Sequence, residues 1–277
     1  MQQRVEEKRE NLITLYKQGK SVQQLTELLG MSKTTVRKVI RSAGLEIRSQ
    51  SDQQLIMNGS SSLKHWAFDT LTEEALYWIG FIYADGYVHK KQNRSLITID
   101  LSTEDRNHLE KFKKFLDAGV SIRDNKRHRL DKVYYTSIIT VSSKPLFDRL
   151  TELGFTNDKT YTAVVHPDLI NHVAFWRGVF DGDGWISRTH TRKYQYPWVG
   201  LCGTYDTVQS FIEFVKSNGV LTDVIKARHK KGTKNNFETA FVNNVGLNIL
   251  DLLYKDATVY LDRKYAVYQQ LLNNNNT

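Results

Sequence analysis

Trp78-Ile79-Gly80-Phe81-Ile82-Tyr83-Ala84-Asp85-Gly86 and Trp176-Arg177-Gly178-Val179-Phe180-Asp181-Gly182-Asp183-Gly184 are two versions of one sentence. Each is an apolar, helix-like run ending in Asp-Gly, with small residues four apart at Gly80/Ala84 and Gly178/Gly182. Small residues at that spacing share one helix face and let two backbones approach closely, because no side chain intervenes. The two segments can therefore pack against each other. Asp85 and Asp183 would then emerge side by side at the carboxyl ends of paired helices, where the dipole already disfavours negative charge. Two carboxylates so placed repel, so either one stays protonated or a divalent cation sits between them.

The surroundings of the two segments repeat as well. Thr72-Glu73-Glu74 supplies a cap and an acidic first turn for the first helix. Leu96 to Leu101 alternates like a half-buried strand, with Ser102 or Thr103 placed to cap a helix carrying Leu109, Phe112, Phe115 and Leu116. Val133 to Val141 is strand-like, and Leu146, Phe147, Leu150 and Leu153 predict a closing helix. The second copy follows the same order. Strands are expected at Trp185-Ile186 and Trp198 to Leu201, then a helix with Val208, Phe211, Ile212 and Val215, a strand at Phe237 to Val242, and a helix with Leu247, Leu250 and Leu253. Asp85 and Asp183 stand 98 positions apart (183 − 85). Two repeats are too few for a solenoid, so a pseudo-twofold pair of subdomains is predicted.

The chain resembles the LAGLIDADG (DOD-type) homing endonucleases, in the single-chain form that carries two motifs. The likeness rests on the endings Tyr83-Ala84-Asp85-Gly86 and Asp181-Gly182-Asp183-Gly184, on Leu153-Gly154-Phe155 through Lys159-Thr160, and on Tyr260 to Tyr265. It extends over roughly residues 72 to 268 in element order. The resemblance implies an α+β fold of two αββαββα subdomains, with the motif helices at their interface and saddle-shaped antiparallel sheets on DNA. It implies that Asp85 and Asp183 are the catalytic, metal-binding acids and that the backbone carbonyls of Ala84 and Gly182 complete the coordination. Tyr83 departs from the family pattern, standing where an earlier acid often occurs. The implied activity is metal-dependent, Mg²⁺-assisted, site-specific cleavage of double-stranded DNA, with mobility of an intron or similar element. An RNA-binding intron maturase and an inert DNA-binding regulator on the same scaffold are the alternatives.

On such a saddle the cations of the hairpins would anchor phosphates while neighbouring polar groups meet base edges. The candidates are Lys90, Lys91 and Arg94; Arg123 and Arg127; Arg188, His190, Arg192 and Lys193; and Lys226, Arg228 and Lys230. A cation near the cleaved phosphate would steady the transition state. Lys144, Lys159 and Lys264 lie near ends of expected elements, and spacing alone assigns that role to none of them. His128, His172 and His229 lack a Cys or His partner at zinc-like spacing.

Ahead of the repeats, residues 1–43 read as an all-α module. Leu12, Leu15 and Tyr16 share one face, Ser21 caps a run with Val22, Leu25, Leu28 and Leu29, Gly30 stops it, and Ser32 opens a third helix. The module resembles the helix-turn-helix of resolvases and invertases through Gly19-Lys20-Ser21-Val22, Leu28-Leu29-Gly30-Met31-Ser32 and Thr35-Val36. By that resemblance Lys33, Thr34, Thr35, Arg37 and Lys38 face DNA. Residues 44–70 are polar, small and poorly periodic, which predicts a linker; 71–166 and 167–277 are the expected subdomains.

Composition agrees with a nucleic-acid partner. The chain has 277 residues, 40% of them hydrophobic and 25% charged, with a formal net charge of +9. An excess of positive charge favours a polyanion. No apolar run approaches the roughly 20 residues of a membrane span. The lone Cys202 cannot form an internal disulfide and is expected to fill core space in a reduced, cytoplasmic setting. A monomer is expected, since one chain carries both motifs.

Overall fold

The computed structural model describes residues 2–48, 53, 63–129, 132–155, 164–190, 195–221, 225–233 and 235–275. Three helices come first, α1 (Gln2–Lys17), α2 (Val22–Leu29) and α3 (Lys33–Ser42). Ser21 and Gln24 form a reciprocal capping box on α2, and Gly30 ends it at φ +64°, a left-handed conformation that costs glycine little. Leu12, Tyr16, Leu25, Val36, Val39 and Ile40 make a separate small core. Leu28, expected on the buried face, is 60% exposed, because eight residues of helix offer that core little more than the Leu25 stripe.

The module reaches past residue 43. Leu45 and Ile47 pack on its core, and the Tyr16 hydroxyl donates to the Glu46 carbonyl (3.0 Å) and accepts from the Arg48 amide (2.8 Å). Leu63 and Phe68 are buried in the main core instead, and the Lys64 amide donates to the Leu116 carbonyl (2.8 Å). Both ends of the expected linker are therefore anchored. Isolated apolar residues in a polar run carry no period, so sequence patterning passes over them.

The main body is built from two equivalent halves. The first runs α4 (Glu73–Asp85), β1 (Gly86–Lys91), β2 (Arg94–Ser102), α5 (Arg106–Phe115), β3 (Arg123–Arg129), β4 (Lys132–Ser142) and α6 (Lys144–Glu152). The second runs α7 (Val173–Asp183), β5 (Gly184–His190), β6 (Gln195–Gly203), α8 (Tyr205–Ser217), β7 (Arg228–His229), β8 (Phe237–Val242) and α9 (Asn243–Tyr254), after which α10 (Asp262–Asn275) follows. Each half is an αββαββα unit. The antiparallel sheets have matching orders, β1-β2-β4-β3 and β5-β6-β8-β7.

Alternation decides which side of each sheet the helices cover. Ile97, Ile99 and Leu101 on β2 and Ile139 and Val141 on β4 are buried, and Val199, Leu201 and Phe241 repeat this in the second half. Strand β3 (Arg-Asp-Asn-Lys-Arg-His-Arg) has no apolar alternation and is a strand because it pairs with β4 from Arg123↔Ile138 to Arg129↔Lys132. Charge along such an edge discourages pairing with another chain. Neither Ser102 nor Thr103 caps α5 with its side chain; a 3₁₀ turn, Thr103–Asp105, leads into that helix.

Two buried histidines make the fold acid-sensitive. His65 accepts or donates at Nδ1 to the Ser143 hydroxyl (2.7 Å), and His108 Nε2 meets the Tyr77 hydroxyl (2.9 Å). Burial, assisted by Arg48, lowers His65 to about 4. Burial, assisted by Lys111 and Arg263, lowers His108 to about 3. An unfolded chain takes up these protons near pH 6.5 while the native state refuses them, so stability present above pH 6.5 drains away as pH falls towards 3. The urea midpoint should therefore be lower at pH 5 than at pH 7. His108→Gln, which keeps a partner for Tyr77, should flatten that dependence; an equally steep profile would exclude His108 as a contributor.

Candidate active site and nucleic-acid interface

Helices α4 and α7 are mostly apolar because they are buried all round: Ala75 to Ile82 and Ala174 to Asp181 are buried without a break, Arg177 and Asp181 being the charged residues among them. Thr72 caps α4 by accepting from the Ala75 amide (3.2 Å). The two helices form the most extensive contact between any pair of elements. A β-carbon on Gly80 would lie 2.0 Å from the Phe175 carbonyl oxygen, and one on Gly178 would lie 2.1 Å from that of Tyr77. The contact is reciprocal, as a pseudo-twofold axis requires.

This seam carries the acids to one place. A β-carbon on Gly182 would meet Ala84 Cβ at 2.4 Å and the Asp85 Oδ2 atom at 3.2 Å, so the Asp85 carboxylate lies across the seam, over the residue next to Asp183. Asp85 and Asp183 are both exposed. The following glycines are not left-handed caps: Gly86 has φ −81° and Gly184 φ −82°, extended values from which β1 and β5 start at once. Glycine is required there by close approach. Added β-carbons would stand 2.6 Å from Ile82 Cγ2 and 2.4 Å from Phe180 Cδ2.

The third motif acid has a different task. Asp181 is fully buried and accepts from the Tyr77 hydroxyl (2.7 Å), the Leu261 amide (2.8 Å) and the Tyr254 hydroxyl, tying α7 to α4, α9 and the start of α10. Burial raises its pKa, opposed by Lys264 and those hydrogen bonds. Neighbouring Arg177, 3% exposed, donates to the carbonyls of Val259 (2.9 Å) and Leu253 (3.1 Å) and to Glu73 (2.6 Å). Tyr83, at the equivalent place in the first motif, meets the Thr207 hydroxyl (2.8 Å) and is pushed up to about 12, chiefly by burial.

Lys264, to which sequence spacing gave no role, belongs to the site. Its ammonium is buried and donates to the carbonyls of Phe180 (2.6 Å), Asp181 (2.9 Å) and Gly184, the unsatisfied end of α7. Burial brings it down to about 8, against the opposing pull of Asp181, Asp85 and Asp183. It is a fixed positive charge holding the Asp183 turn in place. Nothing in the local sequence reveals this, since α10 lies 80 residues beyond the turn it braces. Lys264→Met should remove three hydrogen bonds to the end of α7, leaving the Phe180 carbonyl with only the Gly184 amide, and lower the thermal midpoint by several degrees at about 1 kcal/mol per lost bond. An unchanged midpoint would remove the bracing role.

Register sorts the other candidate residues. Lys91, Arg94, Arg123 and Arg127 lie on the face of the first sheet turned away from the helices, with Tyr87, Thr98 and Thr140, and Arg127 pairs with Asp100. Lys90 is a correction: it shares the face of buried Val88, and its ammonium stands 5.5 Å from the Phe147 ring centroid, on the helix side. Arg188 and His190 lie on β5 opposite Pro197 and Gln195, while Arg192, Lys193 and Lys159 fall outside the described residues. Lys226 and Arg228 are exposed, Arg228 on β7 beside β8. Lys230 reaches over the open face, 3.8 Å from Cys202 Sγ, which in turn contacts the Asp183 carbonyl at 3.5 Å. Cys202 is thus on the open face of the sheet rather than in the core, because its strand neighbour Leu201 takes the inward position. Lys144, also without an assigned role, pairs with Asp148 (2.6 Å) and with Glu46 (3.1 Å).

In the amino-terminal module Lys33, Thr34, Thr35, Arg37 and Lys38 are all exposed on α3, while Val36, Val39 and Ile40 face its core.

The donor set suits a hard cation. Among the described residues no three His, Cys, Asp or Glu side chains converge, which leaves two carboxylates and nearby backbone carbonyls. Mg²⁺ is commonly held by one or two carboxylates, with water and substrate phosphate completing its shell.

Residues 72–151 match the family described as the LAGLIDADG-like domain. The structure resembles the homing endonuclease I-WcaI bound to its DNA recognition sequence, at a TM-score of 0.55 and 14% identity, over 81% of this chain and 96% of that one. An uncharacterized protein of Methanocaldococcus jannaschii is 22% identical over 183 residues, spanning 64% of this chain and 66% of its relative, just under two thirds of that protein's length. Residues 72–151 are thus similar to the LAGLIDADG-like domain, and the body as a whole has the fold of a homing endonuclease. Among the described residues no helix is long and apolar enough to cross a membrane.

Proposed function

We propose that this protein is a site-specific, double-strand DNA endonuclease that works as an intracellular monomer. The observation that carries the reading is the pair of exposed carboxylates, Asp85 and Asp183, brought together by interlocked helices whose next residues begin two sheets with open faces. Those carboxylates, with the carbonyls of Ala84 and Gly182, would hold Mg²⁺. When bound, the ion would polarise the phosphate, lower the pKa of an attacking water and help the 3′ oxygen depart.

The chain's own residues do the rest. Lys264 keeps the Asp183 turn rigid. Lys91, Arg94, Arg123 and Arg127 on one sheet and Arg228 and Lys230 beside the other anchor phosphates, and the polar groups between them meet base edges. The exposed face of α3 adds contacts outside the two halves, and unequal halves permit a target without a palindrome. Cleavage of this kind would serve the mobility of an intron or similar element.

Incubating the protein with a library of duplex DNA, with Mg²⁺ or with chelator, tests the reading. Discrete double-strand cuts that need Mg²⁺ are expected. Duplex binding with no cutting would indicate an inert regulator, and preference for folded RNA over duplex DNA would indicate a maturase; either result refutes the proposal.

A further inference from the structure

The two halves share a scaffold and differ in the chemistry of their open faces. In the first sheet Tyr87, Thr98 and Thr140 stand in register, and next to them His89, Leu96 and Ser142. The equivalent rows of the second sheet are Trp185, Gly200 and Ala240, then Ser187, Trp198 and Val242. Position by position, the hydroxyls of Tyr87, Thr98, Thr140 and Ser142 give way to Trp185, Gly200, Ala240 and Val242, the apolar Leu96 is enlarged to Trp198, and the imidazole of His89 is matched by the hydroxyl of Ser187. Trp198, in the middle of β6, is 41% exposed, and its register partner Val242, the last residue of β8, is 48% exposed. Trp185 lies flat on the sheet: a β-carbon on Gly200 would come within 2.3 Å of its ring, and its centroid is 5.9 Å from that of Trp198. The result is a stiff apolar surface two residues from Asp183, with Arg228 in register with Glu238 beside it.

A duplex offers one apolar group in its major groove, the thymine C5-methyl. Every other group at a base edge there is a donor or acceptor, which would lose its water against indole and gain nothing. We infer that the second sheet reads thymine methyl groups through Trp185, Trp198 and Val242, so that one half of the target is rich in thymine and the other is chosen by hydrogen bonds. Trp198 and Val242 are then specificity-determining residues. This rests on the duplex-DNA reading above.

The test replaces thymine by deoxyuracil, which deletes the methyl group and leaves every hydrogen-bonding group in place. A duplex enriched from a random library by the full-length protein in Ca²⁺ is resynthesised with deoxyuracil in one half at a time. Burial of one methyl group is worth about fourfold in affinity, so two or three replacements should weaken binding roughly tenfold or more in one half and leave the other unchanged. Trp198→Ala and, separately, Val242→Thr should erase most of that difference while still binding the deoxyuracil duplex. Val242→Thr nearly preserves shape on an exposed position, so a folding defect in the tryptophan variant would not decide the matter. Equal affinity for thymine and deoxyuracil in both halves, or a deoxyuracil penalty undiminished in Val242→Thr, overturns the inference and leaves the nuclease reading intact. Competition by single-stranded oligonucleotides as strong as by duplex would instead mean stacking on unpaired bases, and would overturn both. Failure to enrich any duplex would also remove both.

Discussion

Gly80→Ala should leave little folded main body. The added methyl would sit 2.0 Å from the Phe175 carbonyl oxygen and 3.1 Å from the Val179 amide nitrogen, both backbone atoms of the opposing helix, which cannot rotate away. Overpacking usually costs about 1–3 kcal/mol where side chains can rearrange. Here the two helices at the centre of the core must separate, so the loss should reach or exceed about 3 kcal/mol, a large share of the roughly 5–15 kcal/mol that holds a domain together. Gly178→Ala should behave alike, since its methyl would meet Tyr77 and Phe81. Gly219→Ala is the control. It has φ +73° with nothing within 4 Å, so it pays only the left-handed penalty of about 1–2 kcal/mol. Thermal unfolding followed by circular dichroism ranks the three. A Gly80→Ala midpoint no lower than that of Gly219→Ala would mean that the helices do not meet as described.

Replacing Asp85 or Asp183 by Asn should abolish cutting without harming the fold. Both side chains are exposed at helix carboxyl ends, where a negative charge is unfavourable, so relief of their mutual repulsion offsets the lost attraction to Lys264 and removal costs little stability. Metal-assisted stabilisation of a phosphoryl transition state is worth several kcal/mol, and about 1.4 kcal/mol is tenfold in rate. Cleavage should therefore fall about a thousandfold or more for each variant while duplex affinity changes only a few-fold. Asp181→Asn should do the reverse. Its amide would aim a donor into a site built from two hydroxyls and the Leu261 amide, which lowers stability by about 1–3 kcal/mol before it touches chemistry. Single-turnover cleavage and urea unfolding on all three variants separate the roles. The metal assignment fails if Asp85→Asn and Asp183→Asn both cut at the parent rate.

Much of the site was legible because it is written in local patterns. The Gly80/Ala84 and Gly178/Gly182 spacing specifies a close helix seam wherever the helices lie, and the strand at Phe237–Val242 and the capping Ser21, Ser32 and Thr72 follow from nearest neighbours. Strand β3 was less legible, since its seven polar residues acquire their conformation from β4. Leu63 and Phe68 were illegible for the same reason: single apolar residues gain meaning only from the core they enter.

By itself the amino-acid sequence determined the duplication, the helix that ends each half of the seam, the two acids at its end and the basic helix ahead of it. Tertiary structure decided which acid does what. Asp181 and Asp183 are identical side chains two residues apart, and the helix turns one inward to two tyrosines and the other outward to solvent. It decided that Lys91 and not Lys90 faces the open side of the first sheet, that Gly86 is glycine for space rather than for handedness, and that Lys264 braces the active turn. The division has one physical reason. Periodicity and capping act over a few residues and are recorded along the chain, whereas the partner of a buried charge stands 80 or 100 positions away and is specified only when the core closes.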